Sequence, residues 1–171
     1  MINPKEGCPV IFAFGAFSVD VDVERTRKYY AESARTLTEG CDCIACQNFV
    51  KAYQNIDPRI RDFFDSLGVD PRKAPDMSAM HGDAKTNMMY YLGWCHLCGT
   101  VISGESAWVP DSDRSCHWEE ERAFAVTETC RVSVNNQCAL VDDSFPRPVL
   151  QLEVDIQVPW VLEDAQHAWM V

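Results

Sequence analysis

Apolar residues recur along this chain with two different periods. Up to about residue 68, past an N-terminal strand, they return every three or four positions. From Asn87 onward they return every second position. The clearest alternation lies near the end of the chain. Leu150, Leu152, Val154, Ile156 and Val158 point one way, while Gln151, Glu153, Asp155 and Gln157 point the other, until Pro159 ends the ladder. Phe124, Val126, Cys130, Val132 and Val134 alternate similarly, and "NNQC" then turns the chain. Residues 88–103, "MMYYLGWCHLCGTVIS", form an apolar and aromatic strand region in which Gly93 and Gly99 mark bulges or close backbone approach. Residues 103–118 read as a polar loop. At the other end, Val10–Phe17 reads as a buried strand, and Val19, Val21 and Val23 continue at period two after a bulge near Gly15–Ala16.

The three-to-four-residue rhythm predicts helices. Thr26, Tyr30, Ala34 and Leu37 form a stripe in a helix with Asp20 or Asp22 at its cap and Gly40 at its stop. Phe49, Val50 and Tyr53 share a face of a second helix. The third is the best marked: Asp57 at the cap, Pro58 at the first position, Gly68 past the end, and Ile60, Phe63, Phe64 and Leu67 as the buried stripe. Residues 69–86 read as a loop, long for a compact domain. A strand, three helices and a run of strands predict an α+β fold, with helices packed on one face of a mostly antiparallel sheet. A single domain is expected over 1–171, with its helical part at about 22–68 and its main sheet part at about 87–162. A length of 171 residues and 47% hydrophobic content suit one ordinary core. Trp160, Leu162 and Trp169 are expected to pack the tail.

Charge adds an asymmetry. Residues 1–90 carry 11 basic and 13 acidic side chains, and residues 91–171 carry 4 and 13. A field of that sign repels nucleic acid and acidic membranes and attracts a basic protein surface. Glu119, Glu120, Glu121, Asp142, Asp143, Glu153 and Asp155 are the candidate partner-binding residues. No apolar run approaches the roughly 18 residues of a membrane helix. Val10–Phe17 lacks the basic cluster and cleavage site of a leader. Nine cysteines, an odd number, fit a reducing, cytoplasmic setting better than a disulfide framework.

The cysteines carry the sharpest chemical signal. Cys43-Ile-Ala-Cys46 and Cys95-His-Leu-Cys98 are two C-x-x-C pairs, each able to give half of a zinc tetrahedron. Cys41 is a substitute ligand, and His96 and His81 are further candidates. "CHLCG" resembles a zinc-ribbon knuckle over five residues. One geometric condition decides the pairing: in a regular strand, Cys95 and Cys98 point to opposite faces and cannot share an ion. Two other readings stay open. The thiols are isolated and structural, or Cys43 and Cys46 form a redox pair at a helix start, where amide dipoles favour a thiolate. Nucleotide-binding, hydrolase and H-E-x-x-H motifs are absent, so no catalytic residue is assigned.

The string "CDCIACQNF", the helix beginning "DPRIRDFFDSLGVD", "YYLGW" and the ending "LQLEVDIQVPWVLE" resemble a group of gut Firmicutes and mobile-element proteins sharing a C-x-C-x-x-C-x-N-F motif. The resemblance implies a bacterial or phage-related cytoplasmic protein and carries no activity or functional residues. Together these features favour a non-enzymatic acidic binding protein. It would act as an inhibitor or nucleic-acid mimic on a basic nucleic-acid-handling partner, with a zinc ion stapling helices to sheet. A thiol redox enzyme or sensor is the alternative.

Overall fold

The computed structural model of the protein describes residues 9–163. The architecture is α+β, with three helices against a seven-stranded antiparallel sheet. The sheet runs β1 (Val10–Phe14), β2 (Phe17–Val21), β4 (Met88–Ser103), β9 (Val149–Pro159), β8 (Cys130–Asn135) and β7 (Phe124–Thr127), and β3 (Asp76–Asp83) pairs with β4 beyond β2. A separate two-stranded ribbon joins β5 (Trp108–Ser112) to β6 (Ser115–Trp118).

Strand β4 organises the sheet. One of its edges pairs with β9 from Met88 to Cys98. Its other edge is shared by two strands, β3 along 88–94 and β2 along 99–103. Between them lies a gap that helix α1 (Val23–Glu32) fills. The Tyr30 hydroxyl donates to the His96 carbonyl at 3.1 Å and accepts the His96 amide at 3.0 Å. Thr26 Oγ1 accepts the Cys98 amide at 3.0 Å, and the Asp22 amide donates to the Cys98 carbonyl at 2.8 Å. Residues 22, 26 and 30 are one turn apart, so a single helix face replaces the missing strand and satisfies its buried backbone partners. Gly93 and Gly99 stand where β3 and β2 cross closest: a Cβ would collide with the Asp76 and Asp20 carbonyl oxygens, respectively.

The core lies between the helices and the face of the sheet carrying Tyr91, Cys95, Leu97, Val132, Val134, Leu150, Leu152, Val154 and Ile156, all buried. Helix α3 (Pro58–Ser66) has Asp57 as its cap, Pro58 at its first position and Ile60 and Phe64 buried, as its sequence indicates. Trp160 is buried as expected, whereas Trp169 lies outside the described residues.

Several elements differ from the sequence expectation. Gly15–Ala16 is the turn of the β1–β2 hairpin, with Phe14 opposite Phe17, and Gly15 supplies the positive φ of 57°. β1 is therefore an edge strand, with Val10 and Ile11 exposed. α1 ends at Glu32 with Ser33 extended, so Leu37 is buried from a loop. Residues 76–83, expected as loop, form β3. Residues 108–118 form the ribbon, and residues 124–135 are a hairpin rather than one strand. No helix among the described residues is long and apolar enough to cross a membrane.

Candidate metal centre

Helix α2 (Ile44–Ala52) begins inside the cysteine run. Cys43 is its cap, with extended backbone, and its sulfur accepts the Cys46 amide at 3.4 Å. This is the role a serine or aspartate oxygen usually plays, satisfying one of the helix's free amides. Because residues 43 and 46 lie one turn apart across the cap, their side chains converge. The preceding connection brings Cys41 beside them. The ligand atoms of Cys41, Cys43 and Cys46 all lie within 4.8 Å of one another.

The α2 scaffold is fixed by the residues that follow. Tyr91 on β4 donates its hydroxyl to the Ala45 carbonyl at 2.8 Å, in the first turn of the helix. The fully buried Asn48 donates to the Pro159 carbonyl at 3.2 Å and accepts the Val161 amide at 2.8 Å. Phe49 packs edge-on against Tyr91, with ring centroids 5.0 Å apart. The "NF" of the cysteine motif is thus structural: it ties α2 to the end of β9 and to β4, and so holds the thiols at the sheet margin.

Electrostatics separate the three sulfurs. Partial burial works to raise the Cys43 thiol, but hydrogen bonds from the Cys46 amide, the Cys41 and Cys46 thiols and the Ala45 amide outweigh it. Cys43 is held below the ordinary thiol range. Cys46 is pushed far up, by burial first and then by donating to its two neighbours. A groove of about 370 Å³ opens beside the cluster. It is bounded by Arg35, Thr36 and Gly40 on one side and by 74–79 on the other. Arg35 donates to the Pro75 carbonyl at 3.2 Å across it.

The second C-x-x-C pair goes elsewhere. Cys95 and Cys98 sit in the regular β4–β9 ladder, opposite Leu152 and Val149. At odd spacing in a strand they project to opposite faces, so they do not form half of one tetrahedron. Cys95 is fully buried in the helix-side core with Tyr30 nearby, and burial drives its thiol up. Burial also raises Cys98. Neither joins the Cys41–Cys43–Cys46 group, which corrects the four-ligand expectation. His96 is buried against Phe145 and the Ala139 carbonyl, and His81 packs at a tilt against Tyr90.

The acidic set also divides. Glu121, Asp142 and Asp143 are exposed. Glu119 pairs with Arg122 at 2.6 Å and Glu120 with Arg131 at 3.3 Å. Glu153 and Asp155, expected on an outer face, are only 1% and 3% exposed. Residues 104–122 cover that face. Glu153 accepts from Ser106, Ser133 and Asn135, which replaces its hydration. Burial raises Asp155 to about 6, against the opposing pull of Arg131. The alternation was a true strand signal, but it could not reveal that residues 104–122 roof the polar side. The groove residues Arg35 and Asp76 were missed too, because only tertiary folding brings them to the thiols.

Fold and site define an α+β chain with a three-thiol cluster at a helix start. No family model, curated protein or solved structure matches it.

Proposed function

We propose that the protein is a non-enzymatic metal-binding protein in which Cys41, Cys43 and Cys46 hold a zinc ion. The observation that carries this reading is the convergence of three sulfurs within 4.8 Å. Tetrahedral zinc–thiolate bonds of about 2.3 Å need sulfurs roughly 4 Å apart, so little movement is required. The free amides at the start of α2 offset the negative charge that three thiolates bring. Zinc would fix the 33–43 connection onto the helix and sheet margin. The acidic half, through Glu121, Asp142 and Asp143, is the surface offered to a basic protein partner.

Zinc titration of the reduced full chain against a chromophoric chelator tests this. One equivalent should bind and protect three thiols from a thiol reagent. An unchanged count of reactive thiols at saturating zinc would contradict it.

A second reading is supported by the unequal thiols. A lowered Cys43 beside a protonated Cys46 is the arrangement of a nucleophilic and a resolving cysteine. Reversible formation of a Cys43–Cys46 disulfide by a disulfide reagent, with no zinc bound under any condition, would favour it over the metal.

A further inference from the structure

The cluster supplies three donors, and among the described residues no fourth cysteine, histidine or carboxylate joins it. Zinc sites closed by protein have four ligands, whereas sites with three keep a position for water or an incoming molecule. The space beside these sulfurs is a groove of about 370 Å³, within the range that accommodates small ligands. Its walls are polar at the rim. Thr36 and Ser78 provide hydroxyls, Asp76 a carboxylate and Arg35 a guanidinium.

We propose that the fourth position of the ion faces this groove and takes the thiolate of a small hydrophilic thiol. The inference rests on the metal reading above. Three thiolates make a soft, electron-rich centre that favours a fourth sulfur over oxygen donors. Binding breaks the S–H bond of the incoming thiol and forms a sulfur–metal bond. A bound water leaves, and the proton passes to solvent. No electron is transferred, and no oxidant is needed. The centre gains one negative charge, which the Arg35 guanidinium at the groove wall offsets. Thr36 Oγ1 is paired with the Thr38 hydroxyl at 3.0 Å and Ser78 donates to Asp76 at 3.0 Å, so what the two groove hydroxyls offer a ligand's polar remainder is an oxygen lone pair. A cysteine side chain on a larger partner shares this chemistry, and the volume of the groove favours the free small molecule.

Cobalt(II) in place of zinc gives a readout independent of any activity. The full chain is loaded with one equivalent of cobalt(II) in thiol-free buffer, and N-acetylcysteine is titrated in, with N-acetylserine as the control. The sulfur-to-cobalt charge-transfer band should start at the intensity of three thiolates and rise saturably by about a third as the fourth arrives. N-acetylserine should leave it unchanged. Arg35→Ala should raise the thiol concentration for half-saturation about threefold, the scale of one exposed charge contact. A cysteine-containing decapeptide should bind more weakly than N-acetylcysteine, and tighter binding would transfer the site to a protein ligand. A four-thiolate spectrum before any addition, or no change at saturating thiol, overturns the inference while leaving the metal reading intact. Failure to bind cobalt(II) at all overturns both, and shows before thiol is added.

Discussion

Two C-x-x-C pairs in one chain meet opposite fates. At Cys43–Cys46 the chain passes from extended backbone into a helix, and three residues of separation bring the sulfurs together at the first turn. At Cys95–Cys98 the same spacing runs along a strand, and the two thiols are buried on opposite faces of the sheet. Spacing alone carries no coordination geometry; the backbone conformation beneath it does. What keeps the second pair flat is also visible. α1 and its cap supply Tyr30, Thr26 and Asp22 to the backbone of His96 and Cys98, where neither neighbouring strand reaches.

The difference is largest in thiol reactivity. Cys41 is exposed and Cys43 partly so, whereas Cys95 and Cys130 are fully buried. Reaction at the buried pair requires opening of the core, at a cost of several kcal/mol. In metal-free protein a thiol reagent should modify Cys43 at least about 1,000-fold faster than Cys95, read by peptide mass spectrometry. Comparable rates would erase the distinction.

Removing the α1 plug tests why β4 stays regular. Tyr30→Phe strips partners from a buried amide and a buried carbonyl, and should cost roughly 3 kcal/mol in urea unfolding. A loss below about 0.5 kcal/mol would mean that the ladder holds 95–98 unaided. At the other region, Tyr91→Phe removes the bond to Ala45 and should cost about 1–2 kcal/mol while weakening zinc binding, because α2 loses its anchor beside the thiols.

The polar face predicts a pH dependence. Asp155 titrates higher in the folded chain, at about 6, than in the unfolded chain. The folded state therefore binds its proton more tightly. The stability this group gives is fully present below its unfolded value near 4 and is lost as pH rises through 6. The loss for this group is at most about 3 kcal/mol. Asp155→Asn should flatten the stability profile between pH 4 and 6, and an unchanged slope would contradict the buried carboxyl. The smallest effect belongs to Cys98→Ser, which places a hydroxyl where a thiol was buried. It should cost about 1 kcal/mol and leave metal binding untouched.

Much of this was readable from the residues. Asp57-Pro58 and Gly68 mark α3 because capping and the φ of proline act locally. The alternation of 150–158 marks β9 for the same reason. What stayed hidden depends on contacts between distant segments. β3 has no clean alternation, and it becomes a strand because β4 offers it an edge. Glu153 and Asp155 look solvated until residues 104–122 fold over them. The start of α2 pointed to Cys43 and Cys46 with Cys41 as a substitute ligand, but that Cys41 joins both of them as a third depends on the conformation of the connection before the helix.

The central claim is that Cys41, Cys43 and Cys46, without Cys95 and Cys98, form the metal centre. Elemental analysis of protein purified without chelator tests it most directly, on the parent chain, Cys43→Ser and Cys98→Ser. The account predicts one zinc per chain in the parent and in Cys98→Ser, and none in Cys43→Ser. Loss of zinc in Cys98→Ser as complete as in Cys43→Ser, or a parent without metal, would contradict it.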